Sequence, residues 1–240
     1  MASAVQVFAE LIQEANHIAV LSGAGISTPS GIPDFRSEGG LYTQAENVNV
    51  FDIVQFEQAP EYFYRFAQAF YPLVVNAEPN TAHKVIAQWE QDGKDVRVAT
   101  QNIDGLHEEA GSSHVFYLHG NVETSTCTVC GTQFRSKRFA TVIERAEVAR
   151  CGCGGVIKPD IIFFGEMLPE FDWQASADAI ANADLLLVVG TSLVVYPAAS
   201  LPGFRNPRTR LVIVNRDETY LDREADLVIH DDLADVFAAM

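Results

Sequence analysis

Two polar clusters stand directly after short apolar runs, where side chains meet solvent and can do chemistry. Gln101-Asn102-Ile103-Asp104-Gly105 follows Val96 to Thr100, and His119-Gly120-Asn121 follows Val115 to Leu118. A neutral imidazole near its ordinary pKa takes a proton at cellular pH, which a hydroxyl or an amide cannot do, so His119 is the candidate general base. His17, His83, His107, His114 and His230 lack such polar company and read as structural or surface residues. A third cluster, Ser22-Gly23-Ala24-Gly25-Ile26-Ser27, follows the run His17 to Leu21. Glycines at a strand-to-helix turn let backbone N–H groups approach a pyrophosphate, although the same pair also serves as a plain tight turn. Thr28 stands where the usual dinucleotide fingerprint has its third glycine, and Pro29, Gly31 and Pro33 interrupt any long helix. An extended loop over a cofactor is therefore predicted in place of the compact dehydrogenase turn. The loop ends in Asp34-Phe35-Arg36, a carboxylate, an aromatic face and a guanidinium suited to ribose, nicotinamide and phosphate.

All four cysteines lie between Cys127 and Cys153, as Cys127-x-x-Cys130 and Cys151-x-Cys153. Four thiolates can close a tetrahedral zinc site with no position left for water, which makes such a metal structural. The one-residue gap between Cys151 and Cys153 is a tighter bite than the usual two, and the flanking glycines make it feasible. A redox pair at Cys127 and Cys130 is the competing reading of the first knuckle.

Two further segments could border a ligand. Ile161-Ile162-Phe163-Phe164-Gly165-Glu166 is an apolar run closed by a glycine, and Gly190-Thr191-Ser192-Leu193-Val194-Val195-Tyr196 follows another apolar run. As exposed edges they would accept a peptide between them as an added strand, through main-chain hydrogen bonds; buried, they are plain core. Asn215, after Leu211 to Val214, is placed to reach an adenosine ribose.

These clusters need a scaffold that brings strand ends together. Runs rich in Val, Ile and Leu at 17–22, 96–100, 115–118, 185–189, 211–214 and 227–229 read as buried parallel strands. Helical spacing in the opening residues, and in Thr81 to Gln91 and Trp173 to Asn182, supplies the alternating order of an open, doubly wound α/β sheet. In such a sheet the ligand crevice lies outside the carboxyl ends of the strands. Aromatics between Gly39 and Pro79 suggest a small helical insertion, and the cysteine segment, too short for its own core, suggests a second one held by a metal.

Composition excludes several classes. A chain of 240 residues with 48% hydrophobic and 20% charged residues can bury a sizeable core. No apolar run reaches the roughly 20 residues that span a bilayer, and Met1 to Glu14 lacks a basic segment ahead of its apolar positions, so no membrane partner and a cytoplasmic location are expected. The net charge of -16 argues against nucleic acid; it favours cationic partners such as lysine-rich protein segments, over a screening length of about 8 Å, or serves solubility alone.

Taken together these motifs resemble the sirtuins, through nearly the whole chain. Gly-Ala-Gly-Ile-Ser at 23–27, Gly-Ile-Pro-Asp-Phe-Arg at 31–36, Thr-Gln-Asn-Ile-Asp-Gly-Leu-His at 100–107 and Leu-His-Gly-Asn at 118–121 stand in family order, followed by the paired cysteines, Phe-Phe-Gly-Glu at 163–166 and Gly-Thr-Ser-Leu at 190–193. The resemblance implies a discontinuous Rossmann-like NAD-binding domain (1–38, 78–122, 158–240) with a small domain made of a helical module (39–77) and a zinc module (123–157). NAD and an acyl-lysine peptide would meet in the cleft between them. It puts Ala24, Thr28, Phe35, Arg36, Gln101, Ile103, Asp104, Thr191, Ser192, Asn215 and Asp232 around NAD, with Gly23, Gly25, Asp34 and Gly190 in the same walls. Asn102 would order the ribose, His119 would act as base on a ribose hydroxyl, and Ile162 and Phe164 would line the acyl-lysine tunnel. Gly165, Glu166, Leu193 and Val194 would flank the peptide.

The implied reaction yields free lysine, nicotinamide and O-acyl-ADP-ribose. Protein ADP-ribosylation uses the same motifs, and a non-catalytic NAD or ADP-ribose sensor would be favoured had Asn102 or His119 been replaced. Dehydrogenase chemistry fits poorly, since no acidic strand end follows Gly25 by about 20 residues. Family members that prefer succinyl or malonyl lysine carry a Tyr and, three residues on, an Arg. The matching positions here are Tyr64 and Ala67, so the cation is missing and hydrocarbon acyl groups are expected.

Overall fold

The computed structural model describes residues 3–35, 40–41, 49–135, 143 and 148–240. Six strands, β1 (His17–Ser22), β2 (Asp95–Thr100), β3 (Val115–Tyr117), β7 (Leu185–Val189), β8 (Arg210–Val214) and β9 (Leu227–Ile229), form one parallel sheet in the order β3-β2-β1-β7-β8-β9. Every residue of β7, and Ile18 to Ser22 of β1, is buried. Covered on both faces, these strands read in sequence as continuous apolar runs.

Strand order reverses between β1 and β7, and that switch point is where an open parallel sheet leaves a crevice. Register aligns the strand ends there. Ser22 pairs with both Thr100 and Val189, and Val189 with Val214. The next residues, Gly23, Gln101, Gly190 and Asn215, therefore emerge at one level.

On one face α1 (Ala4–Glu14), α4 (Thr81–Gln91) and α7 (Leu233–Ala238) bury Phe8, Ile86, Trp89 and Phe237 against the sheet. Helix α1 starts at Ser3, whose hydroxyl accepts from Gln6 N–H, and α7 starts at Asp232, whose carboxylate accepts from Ala234 N–H. On the other face α6 (Glu170–Asn182) packs Ala177 and Ile180 against Leu186 and Val188.

A second, antiparallel sheet has the order β5-β4-β6, from β4 (Gly120–Cys127), β5 (Gln133–Arg135) and β6 (Ile157–Ile161). Residues 158–161, grouped by sequence with the large domain, pair in this small sheet. The predicted helical insertion is α2 (Ile53–Gln58) and α3 (Pro60–Val75). Its aromatics do not form a core of their own. Phe56, Phe63, Phe70 and Tyr71 share one cluster with Ala149 and Ile157 of the cysteine insertion and with Val122, Ile161 and Phe163 flanking it, with Phe163 set edge-on to Phe56 and Phe51 at 5.3 and 5.9 Å. The two insertions thus stabilise each other. The segment Gly190 to Tyr196 is not the extended strand expected from its apolar run, because Leu193 adopts φ 54° and folds its side chain into the core, only 1% exposed.

Candidate active site

The residues after β1, β2, β7 and β8 wall a cavity at the switch point. Main-chain hydrogen bonds stitch the strand ends: Gly23 N–H to Val189 O at 3.1 Å, Gln101 N–H to Ser22 O at 3.0 Å, and Gly190 N–H to Val214 O at 3.0 Å. Gly25 N–H donates to Gly190 O at 2.8 Å. The glycine N–H groups expected to face a pyrophosphate are thus taken by protein carbonyls. The glycines serve close approach instead: a Cβ on Gly25 would lie 2.8 Å from Gly190 Cα, and one on Gly190, at φ 61°, would lie 2.3 Å from Ile26 N. That contact seats the short 3₁₀ segment Ala24–Ser30 against the end of β7.

Gly23, Ala24, Gly25, Thr28, Asp34, Phe35, Gln101, Asn102, Gly190, Thr191, Ser192, Asn215 and Asp232 all line this cavity. Gln101 Nε2 donates to Thr191 Oγ1 at 3.0 Å, tying β2 to β7. Asp232 also pairs with Arg216 at 3.0 Å, and Asn215 Nδ2 donates to Asp217 O at 2.8 Å. Arg36 lies outside the described residues.

A second, more apolar cavity continues from the first. Ala24, Phe35, Gln101, Asn102, His119 and Val195 border both. Its remaining walls include Ser27, Ile103, Asp104, Phe70, Ile162, Phe164, Gly165, Glu166 and Tyr196. The main chain of Phe164 exchanges bonds with Phe51 O (2.7 Å) and Ile53 N–H (3.1 Å), which anchors that wall to the start of α2. Glu166 accepts from Lys158 Nζ at 2.8 Å and from Phe163 N–H at 2.7 Å. Leu193 and Val194, expected beside a peptide, border neither cavity with their side chains: Leu193 is core and Val194 is exposed. Val195 takes the wall position. Tyr64, at the position of the family's Tyr, is wholly buried with its hydroxyl donating to Ile157 O. Ala67 reaches only a small apolar space behind Phe70.

His119 sits where the two cavities meet. Its Nδ1 is 3.0 Å from Gln101 O, and a carbonyl only accepts, so Nδ1 carries the proton and Nε2 is the free base. Burial pushes its pKa below the ordinary value, partly opposed by the bond to Gln101, which keeps the ring neutral at cellular pH. Asn102 Nδ2 donates to Ser27 Oγ at 3.0 Å, and Ser27 donates to Asp104 at 2.7 Å. Asp104 also accepts from Leu106 N–H at 3.0 Å, while burial raises its pKa. Ser27 was not singled out by sequence, although it closes the Gly-Ala-Gly-Ile-Ser motif. Its role depends on a neighbour 75 residues away.

The four cysteine sulfurs lie within 4.8 Å of one another, with Cys127 to Cys153 at 3.5 Å and Cys130 to Cys151 at 3.6 Å. Tetrahedral zinc with bonds of about 2.3 Å sets its sulfurs about 3.8 Å apart, so the donor set fits zinc despite the short spacing. Gly155 makes room for it, since a Cβ there would lie 2.6 Å from Cys127 Sγ.

The model of the Sir2 family matches residues 23–197. The NAD-dependent protein deacetylase of Clostridium perfringens is 43% identical over 235 residues, covering 95% of this chain and 94% of that protein. That of Thermotoga maritima is 43% identical over 231 residues, covering 95% and 93%. A solved Sir2 structure with a p53 peptide and NAD+ matches with TM-score 0.89 at 42% identity, over 98% of this chain and 95% of that one. Another, bound to an acetylated peptide, matches with TM-score 0.87 at 40% identity, over 98% and 95%. Matched along nearly its whole length, from the glycine turn through the cysteine cluster, the chain belongs to the Sir2 family.

Proposed function

We propose that this protein is an NAD-dependent protein-lysine deacetylase that transfers the acyl group to ADP-ribose and releases nicotinamide. The observation that carries this reading is the junction, at Asn102 and His119, of a cavity lined by polar residues from four strand ends and a more apolar cavity. NAD, when bound, supplies a ribose carbon that gives up nicotinamide and takes the acyl oxygen of the substrate.

The chain's own residues bind, orient and move protons around that event. Thr191, Ser192 and Asn215 offer hydroxyls and an amide to the adenosine side, and Phe35, Ile103 and Asp104 border the nicotinamide side. Asn102, held by Ser27, orders the ribose. His119 Nε2 takes a proton from a ribose hydroxyl, a role that its neutral tautomer fits. Ile162 and Phe164 line the tunnel for the acyl-lysine, and Gly165 and Glu166 flank the peptide. Cys127, Cys130, Cys151 and Cys153 hold a structural zinc that fastens the small sheet. Four thiols free of disulfides suit the cytoplasm, and no helix among the described residues is long and apolar enough to cross a membrane.

Incubation with NAD and an acetyl-lysine peptide tests the reading. Nicotinamide release should match loss of the acetyl mass, and His119→Ala should lower turnover by about 10² to 10⁴-fold while still binding NAD. A peptide that instead gains the mass of ADP-ribose, or a His119→Ala enzyme with wild-type turnover, would sink it.

A further inference from the structure

Beneath the strand ends lies a buried polar chain that the reaction as described does not use. His107, on the short helix Leu106–Ala110 (α5), places Nε2 2.9 Å from Ser22 Oγ. Ser22 donates to Thr100 Oγ1 at 2.9 Å, and Thr100 Oγ1 accepts the Asn102 main-chain N–H at 3.0 Å. Because the Ser22 proton goes to Thr100, Ser22 must accept from His107, so His107 carries its proton on Nε2. Its Nδ1 is a bare acceptor with no hydrogen-bond partner among the described residues.

His83, on α4, is the complement. Its Nδ1 accepts from Asn80 N–H, which leaves the proton on Nε2, and that donor is also buried without a partner among the described residues. The two rings stand edge to face with centroids 4.8 Å apart. An orphaned donor thus sits on the ring that packs against the one carrying an orphaned acceptor. Asn80 in turn holds the loop above, its Nδ2 donating to Ile26 O at 2.7 Å and Ser30 Oγ at 2.9 Å.

We propose that His107 is a positioning residue for Asn102: from the Nε2 proton of His107 through Ser22 to Thr100 Oγ1, which also accepts the Asn102 main-chain N–H, one hydrogen-bond chain sets the main chain from which Asn102 reaches Ser27 and the cavity. The proposal rests on the deacetylase reading for its kinetic consequence, and on geometry alone for the chain itself. The chain requires His107 as its Nε2–H tautomer, a condition that simple space-filling would not impose.

The test compares His107→Phe, which keeps the ring and removes the donor, with His107→Gln, whose Nε2 can donate to Ser22, in the full chain. His107→Phe should lower kcat about tenfold with KM for NAD and peptide changed less than twofold, and His107→Gln should recover most of the loss. Thr100→Val should lower kcat similarly and add little to His107→Phe in the double variant. Equal kcat in the Phe and Gln variants, or additive losses, would overturn the proposal, and Thr100→Val against Thr100→Ser decides it should His107→Phe not fold. The tautomers are read without activity: long-range ¹⁵N–¹H spectra of the NAD-free protein should show both histidines protonated on Nε2. Protonation of His107 on Nδ1 would refute the chain, whereas correct tautomers in a wild-type protein without turnover would refute only the deacetylase reading.

Discussion

Replacing an acetyl by a succinyl group on one lysine peptide puts a carboxylate into the apolar cavity, and its walls determine the outcome. Among the described residues that line it there is no Lys or Arg, while Asp104 and Glu166 are present. Arg65, which a shifted helix register would turn inward, is exposed and lies over the Tyr62 ring at 5.6 Å. Lys158 is committed to Glu166 and to Ile161 O, at 2.8 and 2.7 Å. A carboxylate buried without a partner costs several kcal/mol. Taking about 3 kcal/mol, and about 1.4 kcal/mol per tenfold, succinyl-lysine should be at least about 100-fold poorer in kcat/KM than acetyl-lysine. Butyryl adds two CH₂ groups, worth about 1.6 kcal/mol if both are buried, so its kcat/KM should match or exceed the acetyl value by up to about 15-fold. The assay is kcat/KM on one peptide sequence carrying each acyl group at saturating NAD. A succinyl value equal to or above the acetyl value would refute this account of the cavity.

Metal analysis of protein purified without added zinc should find about one zinc per chain, and chelation should lower Tm and disrupt the small sheet first; no metal together with two intact disulfides would exclude the site. Acid should destabilise the fold through its buried histidines. Burial lowers His83 from 6.5 to about 4, and lowers His107 and His119 as well, so the folded state is the weaker proton acceptor. Their contribution is complete above about pH 6.5 and is lost as pH falls below it, His83's share between there and about pH 4 amounting to about 3 kcal/mol. Denaturant unfolding at stepped pH should show this loss, and His83→Phe should flatten it; a wild-type stability unchanged between pH 7 and 4.5 would contradict the burial of these rings.

The linear sequence already determined the scaffold. Continuous apolar runs admit little but strands covered on both faces, so β1, β2, β7, β8 and β9 were legible within a residue or so, and with them the strand ends that carry Gly23, Gln101, Gly190 and Asn215. Cysteine chemistry likewise limited four clustered thiols to few outcomes. Tertiary structure decided what depends on neighbours distant in the chain. Gly25 and Gly190 are glycines because two loops 165 residues apart touch, not because their N–H groups face phosphate. Leu193 looks like a wall residue in a run of apolar residues, yet a left-handed backbone turns it into the core and leaves Val195 on the cavity. His83 and His107 looked isolated in sequence and are paired in space. Periodicity reports which face of an element is apolar; which polar group meets which is set only when the register of β1 against β2 and β7 brings the strand ends level.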